Sequence, residues 1–348
     1  RTVEFDPYLF WRFKPDQVLD SHGIYKKTVH INSHGFRGPE FSETRPEGTY
    51  RVVCIGDSTT FGWSVGDGET YPAKLEEMLS RKCRRRVEVL NLGVTGYTSL
   101  QGKELMKRRA NELGPQAVIF AFGPNDRLPA MKSDAQHMKD RTWDIGPVTT
   151  FLYRFQVYKL LKSGVVYAQN LSKGLSLEPE TYIPALERKV GVRAFAENVR
   201  EMKKECDRTG AELVLVHVDY PSLPKDHVTR QIRKMARKNG APMPKDWEKW
   251  DGQKLAKELS KELNVPAMDL RELFAEKLEQ IEKGRLGPER AARIRESMPQ
   301  EIKEEPWLYI MVDNGHPNEW GHEIIAQKLA TKISGLQSFK QHCLEARP

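Results

Sequence analysis

The chain has 348 residues, enough for one large domain with insertions or for two, and its ordinary apolar content with seven Trp predicts a real core. Its 56 Lys and Arg against 48 Asp and Glu leave a net charge of +8. That excess is scattered in short runs (Lys82 to Arg86, Lys107 to Arg109, Arg230 to Lys238) without a zinc-finger or RNA-recognition signature, which argues for solvated helix faces and against a nucleic-acid partner.

No apolar run is long enough to span a bilayer, and no signal peptide is present. The chain begins at Arg1 rather than at a methionine, so this is not evidence for a cytoplasmic protein. Cys54 reads as a small core hydrophobe. Cys83, Cys206 and Cys343 are scattered with no CxxC pair, which leaves a single disulfide open and suggests no metal knuckle.

Residues 1–50 read as an arm that packs across the domain, rich in Phe5, Tyr8, Phe10, Trp11 and Phe13, with no long periodic element. His22, His30 and His34 match no common ligand spacing and are expected at the surface or as caps, with no metal. Then an alternation begins. A β-branched run, Arg51–Ile55, predicts a buried strand. A helix follows over about 70–82 with Pro72 in its first turn. Val87–Asn91 is a second strand, about 99–113 a helix, and Ala117–Phe122 an unbroken apolar run of the kind buried on both faces. Periodicity weakens over about 127–190, an expected insertion that includes an aromatic amphipathic helix candidate, Phe151–Leu161. A helix over about 193–208 leads into a fourth strand, Glu212–Val218. Residues 221–262 form a second, polar insertion, with a Lys/Arg-rich helix and another around Gln253–Leu263. A fifth strand at Val265–Leu270, a charged helical stretch over about 271–303, the segment Asp313–Asn318 and a last helix over about 319–333 complete the chain. Residues 336–348 read as a tail.

Five β-α repeats predict a parallel sheet with helices on both faces: a three-layer α/β/α, flavodoxin-like sandwich with a five-stranded parallel sheet plus helical insertions. Sites in such sheets form at the carboxyl ends of strands. The segments after these strands share one chemistry. Gly56-Asp57-Ser58 follows the first strand and exposes a serine at a glycine turn. Asn91-Leu-Gly-Val-Thr-Gly96 follows the second, Gly123-Pro-Asn125-Asp126 the third, and Asp313-Asn-Gly-His316-Pro-Asn318 lies near the end. Serine is a weak nucleophile until a base takes its proton, which neutral imidazole does near pH 7. A carboxylate must hold that imidazole in one tautomer. An oxyanion needs aimed donors, each worth roughly 3 kcal/mol; the Ser58 amide, the Gly96 amide and the Asn125 side chain are suitable.

Each piece alone is weak; Gly-Asp-Ser arises by chance in roughly one chain of this length in ten. Asp134-Ala-Gln-His137 rivals Asp313/His316, but it lies in the insertion, where an exposed histidine is expected. His322, in the last helix, reads as structural and Asp57 as a turn-stabilising side chain. Phe61, Trp63 and Tyr97 flank the serine and glycine turns as candidates for a substrate pocket, with plain core packing as the equal alternative.

Together these segments resemble the blocks of the SGNH (GDSL-type) hydrolase family. Gly56-Asp57-Ser58 corresponds to the first block, Gly96 to the second, Gly123-Pro-Asn125-Asp126 to the third and Asp313/His316 to the fifth. The lead-in Ile31-Asn-Ser-His-Gly-Phe-Arg-Gly38 is similar to that of bacterial members, many of which carry an N-terminal membrane anchor. One departure is Thr59, where the family often has Leu. The chain lacks Gly-x-Ser-x-Gly, so the α/β-hydrolase elbow is not the model. The resemblance implies an ester hydrolase without cofactor, with Ser58 as nucleophile, His316 as base, Asp313 as its orienting acid, and Ser58, Gly96 and Asn125 as oxyanion donors. It also implies a glycan, lipid or small-molecule ester as substrate, and an extracytoplasmic location with membrane association through a segment ahead of Arg1. The expected organisation is an arm (1–50), one hydrolase domain (51–335) and the tail. Two alternatives remain at this stage: an O-acyltransferase acting on a cell-surface glycan with the same residues, and a non-catalytic binding domain on the same scaffold.

Overall fold

The computed structural model describes residues 2–130, 133–142, 187–220, 251–283, 310–313 and 315–345, with 233, 234 and 237. The arm is two antiparallel hairpins: β1 (Val3–Asp6) with β2 (Phe10–Phe13), and β3 (Gln17–His22) with β4 (Lys27–Ile31). The sequence shows no long periodic element here, and the strands are indeed only four to six residues long. Phe10, Asp16, Gly23 and Lys26 adopt positive φ at or between them, so alternation never runs long enough to register. Leu9, Phe13, Val29, Ile31 and Phe36 bury into the main core.

The domain then runs β5 (Tyr50–Gly56), α1 (Ser58–Phe61), α2 (Tyr71–Ser80), β6 (Val87–Gly93), α3 (Ser99–Arg108) and β7 (Ala117–Phe122). It continues with β8 (Pro129–Ala130), α4 (Asp134–Thr142), β9 (Glu187–Arg188), α5 (Val192–Thr209), β10 (Glu212–His217), α6 (Gly252–Leu263), β11 (Ala267–Asp269) and α7 (Leu270–Glu282). It ends in β12 (Met311–Asp313), β13 (His316–Pro317) and α8 (Glu319–Ser334). Strands β11-β10-β7-β5-β6 form one sheet, parallel at every pairing. The fold is therefore an α/β/α sandwich of flavodoxin-like strand order, whose direction switches between β5 and β7. Side chains alternate across it: Val53 and Ile55 of β5 face the core under α3, α5 and α6, whereas Tyr50, Val52 and Cys54 face that under α2, α7 and α8.

Two parts of the expected organisation read differently. Residues 252–263 were expected to belong to an insertion, but they form the crossover helix α6 between β10 and β11, with Ala256 and Leu259 buried. The ends of the first insertion meet in the β8–β9 pair, Pro129 opposite Arg188. Phe151–Leu161 and the charged stretch beyond 283 lie outside the described residues, as does the Lys/Arg-rich helix except for 233, 234 and 237, which are helical.

The expected tail is folded. Residues 337–344 are helical, Phe339 and Cys343 are fully buried, and Phe339 packs edge-on to Tyr50 with ring centroids 5.1 Å apart. Cys343 forms a disulfide with Cys83, at a sequence separation of 260. A cross-link over so long a loop removes much unfolded-chain freedom. A Cys83→Ser/Cys343→Ser double variant is expected to lose about 2–4 kcal/mol of stability, read as a lower denaturant midpoint at unchanged slope.

Candidate active site

Ser58 stands where the sheet changes direction. β5 ends at Gly56, where a Cβ would come within 2.0 Å of Thr60 Oγ1 and 2.8 Å of the Ala121 carbonyl, so the turn has no room for a side chain. Asp57 then caps α1, its carboxylate accepting from Thr59 N–H at 2.9 Å. Asp57 is fully buried, and that burial pushes its carboxyl up to about 6 against the lowering effect of the Thr59 hydrogen bond and His316. Thr59 turns inward to hydrogen-bond the buried Tyr220 hydroxyl, and Thr60 Oγ1 meets Tyr71 Oη at 2.9 Å. A polar residue at 59 therefore has a partner that Leu could not use. These anchors leave Ser58 as the only residue of α1 that is not buried.

His316 reaches Ser58 from the far end of the chain. β12 and β13 pair antiparallel with Asp313 opposite His316. His316 Nδ1 lies 3.0 Å from each Asp313 carboxylate oxygen, and its Nε2 lies 3.0 Å from Ser58 Oγ. With the Nδ1–H donated to Asp313, Nε2 is left to accept the serine proton. Burial pushes the Asp313 carboxyl up, but the His316 hydrogen bond and charge and the Gly315 N–H (2.7 Å) outweigh it, holding Asp313 below its usual value. Pro317 and Asn318 turn the chain into α8, where Asn318 Oδ1 accepts from Trp320 and Gly321 N–H at 3.0 and 2.9 Å. His322 is fully buried, accepts the Tyr71 N–H at 3.1 Å and is pushed down to about 3 by that burial, so it is a neutral structural histidine.

The loops after β6 and β7 converge beside this chain of contacts. Val94 N–H donates to Gly56 O at 3.1 Å, which brings the Gly96 turn next to the serine turn. Gly96 has φ +83 and rests under Trp11 of the arm, where a Cβ would be 3.2 Å from the ring. Asn125 Nδ2 donates to Tyr97 O at 3.0 Å, tying the third segment to the second and leaving its other N–H uncommitted by that bond. Asp126 is fully buried and accepts from the Ser99 amide at 3.0 Å and from the Ser99 hydroxyl. Asn198 Nδ2 reaches the same hydroxyl at 3.0 Å.

A family model for the GDSL-like lipase/acylhydrolase family matches residues 54–324. The chain belongs to this family. Among solved structures, this acylhydrolase is similar to the lipase/acylhydrolase from Enterococcus faecalis, 16% identical over 82% of this chain and 96% of that one, with a TM-score of 0.42. It is likewise similar to the acetylxylan esterase Axe2 from Geobacillus stearothermophilus, 16% identical over 83% and 95%, with a TM-score of 0.43. A third likeness is LAE5, an alpha/beta hydrolase from the metagenome of Lake Arreo, Spain, 16% identical over 85% and 97%, at 0.42. No curated protein matches the chain. These structural likenesses are distant, and the assignment rests on the family match.

The GDSL-like acylhydrolase is a carboxylic ester hydrolase. Ser58, His316 and Asp313 come together within it, and Gly96 and Asn125 come together beside them. The pocket candidates divide. Phe61 and Tyr97 are fully buried: Phe61 stacks on Phe13 at 5.0 Å, and Tyr97 donates its hydroxyl to Trp11 O at 2.6 Å, so both are packing residues with no face for a ligand. Trp63 is partly exposed, its ring centroid 5.8 Å from that of His316. Of the rival pair, Asp134 is committed to Thr98 Oγ1 at 2.7 Å, and His137 is exposed on α4. Among the described residues no cluster of three or more His, Cys, Asp or Glu could hold a metal, and no helix is long and apolar enough to cross a membrane.

Three features escaped the sequence reading. Arg37, buried, donates to Phe61 O (2.9 Å), Gly62 O (2.6 Å) and Val65 O (2.6 Å) and pairs with Asp67. His22 of β3 packs edge-on against Trp63 at 4.5 Å. His217 and Asp269, at the ends of β10 and β11, form a second buried His–Asp pair at 2.6 Å, behind Gly123. Its signal was a histidine and an aspartate each closing an apolar strand, but no serine accompanies them.

Proposed function

We propose that the enzyme cleaves its ester through an acyl-enzyme on Ser58. His316 takes the Ser58 proton as Oγ attacks the acyl carbon, then gives it to the departing alkoxide oxygen. Water, deprotonated by His316, attacks the acyl-enzyme and releases the carboxylic acid, returning the proton to Ser58. Asp313 holds His316 in the Nδ1–H tautomer and stabilises the imidazolium. Ser58 N–H stands in the first turn of α1, where backbone donors have no intrahelical acceptor; with Gly96 N–H and the free N–H of Asn125 it serves the oxyanion. The observation carrying this reading is the pair of 3.0 Å contacts on either side of the His316 ring.

The substrate we propose is an acyl ester of a glycan, a lipid or a small alcohol. Arm, domain and C-terminal segment form one catalytic unit, and the Cys83–Cys343 disulfide favours an oxidising, extracytoplasmic compartment. The test pairs turnover of short and long p-nitrophenyl esters with fluorophosphonate labelling. Labelling of the wild type that maps to Ser58 and vanishes in Ser58→Ala is the expected result. Full ester turnover by Ser58→Ala would sink the proposal.

A further inference from the structure

A base on a short strand needs more than one constraint. The contact with Asp313 fixes the direction of His316 Nδ1, but a ring held along one hydrogen-bond axis can still turn about it. β13 is only two residues long, and the His316 side chain is 24% exposed, so part of the ring is open to solvent. The ring that lies beside it is Trp63, with centroids 5.8 Å apart and planes inclined by 37°.

The N-terminal arm holds Trp63 in turn. His22 stands edge-on to the indole at 4.5 Å and to Phe61 at 5.3 Å, the edge-to-face arrangement aromatic rings prefer. One residue on, Ile24 N–H donates to Ser64 Oγ at 2.9 Å. Ser64 itself is fully buried at φ +69, and a Cβ at Gly23 would come 2.3 Å from its hydroxyl, so β3–β4 presses directly on this turn. Arg37 fastens the carbonyls of Phe61, Gly62 and Val65 around it. Every residue from 61 to 65 is thus gripped by the arm, and the one pointing at the base is Trp63.

We propose that Trp63 is a positioning residue for His316, set by His22, and that the arm is by this route part of the catalytic apparatus. The inference rests on the nucleophile and base proposed above. Burial, with the nearby charges of Arg37 and His316, pushes His22 down to about 4. It is neutral at pH 7 and puts no opposing charge beside the imidazolium that forms on His316.

A positioning role and a substrate wall predict different kinetics. Trp63→Ala is expected to lower kcat about 10- to 100-fold, the scale of a small misplacement of a reacting group, with KM changed by no more than about twofold. The rate of Ser58 labelling by a small fluorophosphonate falls by the same factor, and Trp63→Phe, which restores a ring face, recovers most of both. His22→Ala shows a smaller fall in kcat and labelling rate that His22→Phe reverses, so the proposal can be judged should Trp63→Ala fail to fold. A raised KM at wild-type kcat and labelling rate would make Trp63 a substrate wall and overturn the proposal. So would a lower melting temperature with both rates unchanged in the folded protein. Ser58→Ala, measured alongside, separates the two levels. If it keeps turnover, the nucleophile assignment falls and this inference with it. If it is inactive while both Ala variants keep wild-type rates, only the positioning role falls.

Discussion

Ser58→Ala is expected to lower kcat by about 10^4- to 10^6-fold with little change in KM, and His316→Ala to do the same. The two losses do not add. Once the nucleophile is gone the base has nothing to deprotonate, so the double variant is expected to be no worse than either single one. Asp313→Asn is more informative. The substituted side chain keeps its place beside His316, but an amide N–H directed at Nδ1 favours the tautomer whose proton sits on Nε2, facing Ser58 Oγ. That tautomer cannot take the serine proton, and kcat is expected to fall about 10^4-fold. The distances make this sharp: both Asp313 oxygens lie 3.0 Å from Nδ1, so Asp313 is the group placed to hold the proton there. Steady-state kinetics on a short p-nitrophenyl ester, with thermal melting as a check on folding, measures all four variants. An Asp313→Asn variant within tenfold of the wild type would remove Asp313 from the mechanism. A Ser58/His316 double variant far below both singles would mean that the two residues act separately.

The parallel sheet was legible because strands buried on both faces are continuous apolar runs. Ala117–Phe122 has the same bounds in sequence and structure. β5 and β6 each run on to a glycine, Gly56 and Gly93, that carries no apolar signal. β11 is shorter than Val265–Leu270 suggests, since Pro266 has no N–H for a ladder and Asp269 already caps α7. Ser58, Gly96 and Asn125 each follow the end of an apolar run, and parallel strands bring those ends to one edge, whereas Asp313 and His316 come from the separate antiparallel β12–β13 pair. What could not be read was the direction of side chains close to Ser58 in sequence. Phe61 lies three residues on and turns into the core, whereas Trp63, beyond the left-handed Gly62, stays at the mouth. His22 and Arg37 were invisible as site neighbours because they come from hairpins and turns without period. The Cys83–Cys343 pairing was equally hidden, since connectivity does not follow from spacing.

The buried Asp126 carries a large expected pH effect on stability. Burial pushes its carboxyl up to about 7, against the Ser99 hydrogen bonds that lower it, and Asp57 and Asp134 add to the rise. In the unfolded chain the same group ionises near 3.9. Between those values the native protein holds a proton that the unfolded chain has lost. Asp126 therefore supports the fold fully below about pH 4, and that support is lost as pH rises through 7. Three units correspond to about 4 kcal/mol. Asp57, raised to about 6, acts in the same sense over a narrower range. His322 opposes them: its folded value is about 3, so below about 6.5 only the unfolded chain takes up its proton, and stability is lost as pH is lowered from there. His22, lowered to about 4, adds to this opposition. The wild-type profile is consequently flattened between about pH 4 and 6, and Asp126 must be isolated by difference. Asp126→Asn keeps an oxygen for Ser99 and puts an amide where Oδ2 has no hydrogen-bond partner among the described residues. An unmet amide costs about 1–3 kcal/mol, but that cost does not vary with pH. The stability of Asp126→Asn relative to the wild type is expected to rise by about 4 kcal/mol from pH 4 to pH 8, whatever its starting offset. Urea unfolding at several pH values reads that difference directly. A difference constant across this range would mean that Asp126 is ionised in the fold throughout. The turn carrying Asn125 would then be tied to Ser99 by a buried charge rather than by a neutral carboxyl.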